Sequence, residues 1–335
     1  MSTILAIDST TELLSISVSE NDIILSELKD DKSQKHMVNI INDIDATLKK
    51  AKKTIKDIDL FSVNLGPGDF TGGRIGISVV KIFSMLSDKP VFGFNCLDIF
   101  SVGCAIKNIE AIKNVKKKSN NTINNINNNV NNNSSDEVNT SFNDNDYFNN
   151  NGNKNNENDG SVYIIPLKDV RNDEIYFSIY EVKNLATKND SDNLIFKFDY
   201  DNTQYYIYKK FGDFLIKSGE AGKKLIQVIN KLINFKNFSC SACGKIFNNN
   251  DLVDYDKIIF TADAVKNYKE LLENISLNIG ILDKKTNVTV DIDENNLNPS
   301  SRYLNFLAYF NFTSNLKSLP IAPVYVRDFI TFSKK

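Results

Sequence analysis

At roughly 100 to 200 residues per domain, a chain of 335 residues corresponds to about two domains or one bilobal body. Hydrophobic residues make up 41% and aromatic residues 10%, enough to bury a core, which excludes a wholly disordered chain. Forty Lys and Arg against 42 Asp and Glu leave a net charge of −2, so no global basic field holds a nucleic acid unaided, and the single histidine, His36, excludes His-rich metal centres and His relays.

Met1 leads directly into an apolar strand, without a basic leader or an apolar run long enough to span a bilayer, so the expected location is the cytosol. Thr3 to Asp8, Leu14 to Val18 and Ile23 to Leu28 predict three strands, the first two joined by the polar turn Ser9-Thr10-Thr11-Glu12. From His36 to Lys53, Met37, Ile40, Ile41, Ile44 and Leu48 recur at three- and four-residue spacing, which predicts an amphipathic helix. Asp59 to Leu65 reads as a buried strand running into Gly66-Pro67-Gly68. Thr71 to Leu86 reads as a helix with Ile75, Val79, Ile82 and Phe83 on one side, and Pro90 to Phe94 as a further strand. A meander followed by helix, strand, helix and strand is an α/β layer with a mixed sheet.

Asparagine then dominates, in runs such as Asn127-Asn128-Asn129, and residues 108–158 read as a disordered insert between a first lobe, 1–107, and a second, 159–335. Val162 to Leu167 and Glu174 to Tyr180 flank the turn Asp169 to Asp173 and echo the opening of the chain. Asp8 and Asp169 thus end the first strands of two similar lobes, the mark of a duplicated fold. Ile258 to Thr261 predicts a later strand and Tyr303 to Phe312 a late helix. The four cysteines are too few for a disulfide scaffold. Cys240 and Cys243 form a CxxC, but Cys96 and Cys104 lack the spacing of a second ligand pair, so no metal site is expected.

The informative segment is Leu65-Gly66-Pro67-Gly68-Asp69-Phe70-Thr71-Gly72-Gly73-Arg74-Ile75-Gly76. A strand meeting a glycine turn and a helix start gathers free N–H groups that suit an anion. Asp8, Gly66, Gly68, Thr71, Arg74, Asp169 and Arg171 are the residues such a nucleotide or phosphate would approach. The segment has neither the Gly-Lys-Ser/Thr of a Walker A loop nor the third glycine of GxGxxG, and Asp69 would repel an anion, so close packing is the favoured role of the glycines.

Together with Ile4-Leu5-Ala6-Ile7-Asp8-Ser9-Thr10, Asp169-Val170-Arg171-Asn172-Asp173-Glu174-Ile175-Tyr176 and the closing Pro323-Val324-Tyr325-Val326-Arg327, this segment resembles the bacterial tRNA threonylcarbamoyladenosine biosynthesis protein family TsaB, also called YeaZ-like. Departures are Asp69 where the family usually has Ser, Gly73 where it has an apolar residue, Ser9-Thr10 in place of Thr-Ser, and Asp173 in place of Gly. The resemblance implies a two-lobed, actin-like and Hsp70-like fold with no catalytic residue, metal or cofactor of its own. The implied partners are TsaD, which transfers a threonylcarbamoyl group to the adenosine beside the anticodon of ANN-reading tRNAs, and TsaE. ATP and a metal ion would reside in those partner subunits and tRNA would be met only through the complex. A homodimer in isolation is also open, and no membrane is involved. In the family the two helices of the first lobe pack on TsaD, which puts Met37, Ile41, Gly72, Gly76, Val79 and Phe83 at the interface. The small glycines would admit a facing helix and the apolar residues would drive contact.

Two other classes stand beside this one. In an independent ATP-dependent kinase of the same superfamily, Asp8 would hold magnesium through water and Asp169 would face a second phosphate loop. That reading lacks the later glycine pair, since Thr261-Ala262-Asp263-Ala264 occupies the expected region. An Asn-rich scaffold that merely retains the fold is the third.

Overall fold

The computed structural model describes residues 1–30, 36–115, 162–170, 173–184, 193–221, 223–225, 257–282, 289–296 and 298–324, without the side chains of 36–38, 212 and 277–282. Arg171, the CxxC cysteines, most of the Asn-rich insert, the last residues of the closing motif and the side chain of Met37 therefore lie outside the described residues.

Strands β1 (Thr3–Asp8), β2 (Leu14–Glu20) and β3 (Ile23–Asp30) form an antiparallel meander. Helix α1 (His36–Lys50) leads to β4 (Leu60–Asn64), α2 (Phe70–Ser87) leads to β5 (Val91–Phe94), and β4 and β5 add in parallel beside β1. The resulting order is β3-β2-β1-β4-β5. Helix α3 (Cys96–Lys107) follows, continued by a short helix α4 over 109–115.

The second lobe repeats the plan. Strands β6 (Val162–Asp169), β7 (Glu174–Lys183) and β9 (Thr203–Lys217) make the meander, with β8 (Leu194–Tyr200) added at its edge. Strands β10 (Lys257–Thr261) and β11 (Thr289–Ile292) add in parallel on the other side of β6, giving β11-β10-β6-β7-β9-β8. Helices α5 (Ala264–Asn267) and α6 (Lys269–Leu282) lie between β10 and β11, and α7 (Ser301–Thr313) follows β11. Strand β1 thus corresponds to β6 and β4 to β10, the duplicated plan that the sequence pattern implies.

Each sheet is covered on both faces, which is why β1 reads as a continuous apolar run rather than an alternating one. Leu5 and Ile7 join a core with Ile40, Ile44 and Leu48 of α1 and Ile77 and Val80 of α2. Ile4 and Ala6 face a central core built from α3 and α7, shared with Val162 and Ile164 of β6. Tyr163, Ile165 and Leu167 face a third core with Leu272 and Ile275 of α6. Helix α3 is buried from Cys96 to Ala105, and Cys96 and Cys104 are free, buried thiols.

Two boundaries move. Helix α1 stops at Lys50, because Lys52 takes a left-handed conformation at φ 55° and the Lys53 N–H closes back on the Leu48 carbonyl. The ordered lobe runs past 107, because Ile109 and Ile112, three residues apart, are buried on one side of α4, so the insert does not start at 108.

Candidate functional site

The glycine segment is a packing device directed at the β1–β2 turn. A Cβ on Gly72 would sit closer than 3.0 Å to the Ser9 carbonyl oxygen, one on Gly76 equally close to Ser9 Oγ, and one on Gly68 equally close to the Thr10 carbonyl oxygen. Ser9 Oγ donates to the Gly72 carbonyl at 2.7 Å, and the Asp69 N–H donates to the Thr10 carbonyl. Gly66 has φ +93°, a conformation that a side chain would strain. Its loop is fastened on the other side by Val324, whose N–H donates to the Leu65 carbonyl at 2.7 Å.

This corrects the placement of Gly72 and Gly76 at a partner interface. Both face the chain's own turn, as does Gly73, whose Cβ would be 3.7 Å from Thr10 Cγ2. The start of α2 also carries its own anion: the Asp69 carboxylate caps the helix and accepts the Gly72 N–H at 2.7 Å. Thr71 and Arg74 are exposed on the outer side, and the Arg74 guanidinium stacks 3.6 Å from the centroid of the Phe70 ring.

Asp8 is buried at the end of β1. One carboxylate oxygen accepts from the Thr10 N–H at 3.0 Å and Thr10 Oγ1 at 2.8 Å, and the other accepts from Asn64 Nδ2 at 2.8 Å. Asn64 Oδ1 in turn accepts the Gly66 N–H at 2.9 Å. Burial raises the Asp8 pKa above the ordinary carboxylate value, opposed by these hydrogen bonds and by the field of Lys168 on β6.

Lys168 is 5% exposed and forms an ion pair with Asp263, at the end of β10. Burial alone would lower its pKa, but Asp263, Cys96 and Asp8 together raise it, so the buried ammonium stays charged. The other Asp263 oxygen accepts the Asp169 N–H at 3.0 Å. The Asp169 carboxylate accepts from Asn267 Nδ2 on α5 at 2.9 Å, within its own lobe. The buried ends of β1 and β6 therefore carry Asp8 from one lobe and a Lys168–Asp263 pair from the other, while Asp169 is bonded to α5. Sequence reasoning did not single out Lys168. Its one signal is a lysine directly after the apolar run of a central strand.

A second polar cluster ties α3 to the second sheet. Asn95 caps α3 and donates to Tyr176 Oη at 2.8 Å, and Tyr180 Oη donates to Asp98 Oδ1 at 2.7 Å. Lys209 lies 3.9 Å from Asp98 and 2.6 Å from Asp213. Burial raises the Asp98 pKa against the pull of Lys209 and Tyr180. For Asp213 burial pushes upward, but bonds from Lys209 and Ser178 outweigh it and the net shift is downward.

The outer side of α2 carries large exposed apolar residues, while α1, among its described side chains, exposes one, Ile41, beside Asn39, Asn42, Asp45 and Lys49. Ile41 is 53% exposed, Ile82 55%, Met85 83% and Leu86 81%. Phe70, Thr71, Arg74, Ile75, Ser78, Val79 and Ile82 line an open groove of about 290 Å³ along α2. Val79 is half-buried in its wall, and Phe83, also half-buried, stacks on core Phe61 with ring centroids 6.0 Å apart. Met85 and Leu86 belong to this face as well. Their signal in the sequence is an apolar pair continuing past the stripe that the sheet covers.

Comparison with known proteins is consistent with this geometry. A family model for TsaD, tRNA N6-adenosine threonylcarbamoyltransferase, matches residues 28–113. The tRNA threonylcarbamoyladenosine biosynthesis protein TsaB of Buchnera aphidicola (Schizaphis graminum) is 35% identical over 98 residues, 29% of this chain and 46% of that protein. The tRNA N6-adenosine threonylcarbamoyltransferase of Staphylococcus saprophyticus is 33% identical over 104 residues, 26% of this chain and 30% of that protein. The chain thus spans less than half the length of these curated relatives. YeaZ from Pseudomonas aeruginosa, at 15% identity, superposes with a TM-score of 0.52 over 97% of this chain and 100% of its own, so the fold is shared.

Proposed function

We propose that this chain, TsaB-like in the sequence of its first lobe and YeaZ-like in fold, is the partner subunit of TsaD in forming threonylcarbamoyladenosine on tRNA. The observation that carries the reading is the exposed apolar face of α2. Ile82, Met85 and Leu86 lie at three- and four-residue spacing on the surface of α2, within the segment that the family comparisons match, and covering such a face on association removes it from water. The glycines that pack the turn under α2 leave this outer face as the one that contacts a partner.

The subunit itself is non-catalytic in this reading, and ATP, the metal ion and TsaE act at the partner, with tRNA met through the assembled complex. Two observations support that role. The helix start that would receive a phosphate is occupied by the Asp69 carboxylate, and Asp8 is engaged within its own lobe by Thr10 and Asn64. No helix among the described residues is long and apolar enough to cross a membrane, in keeping with the proposed cytosolic site of action.

Size-exclusion chromatography with the TsaD of the same cell tests the reading. The wild-type chain should co-elute with TsaD, and Val79→Glu or Ile82→Glu should abolish co-elution with the circular dichroism spectrum retained. Co-elution of the folded variants at wild-type affinity would refute the interface.

A further inference from the structure

The groove along α2 begins beside the point where the described chain ends. Val324 donates its N–H to the Leu65 carbonyl at 2.7 Å, and its own carbonyl oxygen lies 3.6 Å from where a Cβ on Gly66 would stand. Ile321 and Val324 pack on the same core as Ile77 and Val80 of α2, so the chain arrives on the α2 side of the first sheet. Gly66 comes four residues before Phe70, the first residue of the groove wall. The sequence continues through Tyr325-Val326-Arg327-Asp328-Phe329-Ile330-Thr331-Phe332-Ser333-Lys334-Lys335, outside the described residues.

We propose that the segment 325–335 is an internal ligand of this groove: Phe329, Ile330 and Phe332 cover the α2 face in the free chain, and a partner must displace them to bind. The inference rests on the proposed partner role of that face for its consequence, and it adds the regulation of that role.

Reach, chemistry and charge agree. Phe70 to Ile82 is 12 residues of α2, about 18 Å at 1.5 Å per residue, whereas the 11 residues after Val324 span up to about 36 Å when extended. The groove is open, about 290 Å³ in volume, and lined by Ile75, Val79, Ile82 and the exposed ring of Phe70, a wall that suits aromatic and branched side chains. Asp328, the one acidic residue of the segment, precedes Phe329, and Arg74 stands exposed beside Phe70 at the end of the groove nearest Val324. Opposite charges placed there set the direction in which the segment lies. A tether this short holds the segment at an effective concentration of about 1 mM, so an intrinsic affinity of only about 0.1 mM keeps the groove covered about ten to one.

Two measurements on the chain of residues 1–335 test this. The first is TsaD affinity by calorimetry for wild type and for the double variant Phe329→Ser, Phe332→Ser. With the groove open in about one wild-type molecule in eleven, freeing it should tighten binding about tenfold. Asp328→Lys, which leaves the apolar residues in place, should tighten binding in the same direction. The second measurement titrates a labelled peptide of residues 325–335 onto the double variant, and onto the double variant that also carries Ile82→Glu. Saturable binding near about 0.1 mM to the first, lost in the second, is expected. Unchanged or weaker TsaD binding by the double variant would overturn the proposal, as would a peptide that fails to bind or that binds regardless of Ile82→Glu. Should neither wild type nor the double variant bind TsaD, the partner reading falls, and the peptide titration alone decides whether the segment occupies the groove.

Discussion

Gly72→Ala distinguishes a helix face packed inside the lobe from one open to a partner. The added Cβ falls closer than 3.0 Å to the Ser9 carbonyl oxygen and 3.2 Å from Asp69 Oδ2, so a backbone atom must give way rather than the end of a flexible side chain. Overpacking of this kind costs about 1–3 kcal/mol. Moving the turn also strains the Ser9 Oγ bond to the Gly72 carbonyl, worth about 1 kcal/mol net. Against this stands a helix-propensity gain of at most about 1 kcal/mol for replacing glycine. The balance is a loss of about 1–3 kcal/mol, read as a fall in urea midpoint at unchanged slope. Gly76→Ala should cost less, because the atom its Cβ approaches is a rotatable hydroxyl. A Gly72→Ala protein as stable as wild type, or more so, would refute the inward packing and return these glycines to the interface.

Ile82→Glu should abolish TsaD binding yet leave the melting temperature within about a degree of wild type, since the side chain is 55% exposed and fills no core. Burial raises the folded-state pKa of both Asp8 and Asp98 above the ordinary carboxylate value of 3.8. The unfolded carboxyls ionise first as pH rises, so stability should fall with rising pH from near that value up through the raised values. Asp98→Asn should flatten this slope while keeping the bond from Tyr180, and a slope unchanged in the variant would contradict the assignment. Deleting about residues 118–158 should leave melting and TsaD binding nearly unchanged, because asparagine-rich sequence of this composition cannot bury enough apolar surface to offset its ordering entropy. Loss of folding in the deletion would contradict it.

The first lobe is legible in the sequence because its signals are local. Apolar runs bounded by turn residues mark β1, β4 and β5, and three- and four-residue spacing marks α1 and α2. The duplication is legible through the matched ends Asp8 and Asp169. Spacing does not settle which side of α2 faces inward. Gly72, Gly73 and Gly76 make one small stripe and Ile75, Val79 and Ile82 an apolar one, and either suits contact with a neighbour until the Ser9–Thr10 turn occupies the first. Lys168 escapes notice for a related reason. A lysine near a strand end reads as solvated, and it is buried only because β10 brings Asp263 alongside, 95 residues later in the chain. The start of the insert is misplaced because asparagine content masks Ile109 and Ile112, whose spacing continues the helical pattern of α3.

The central claim is that this chain serves TsaD without chemistry of its own, and nucleoside analysis of tRNA after incubation with purified components tests it most directly. TsaD and TsaE of the same cell, supplied with ATP and a threonylcarbamoyl source, should yield threonylcarbamoyladenosine when this chain is present and little when it is omitted, while the chain alone should neither modify tRNA nor turn over ATP. Equal modification without the chain, or ATP turnover by the pure chain that Asp8→Asn abolishes, would contradict the account.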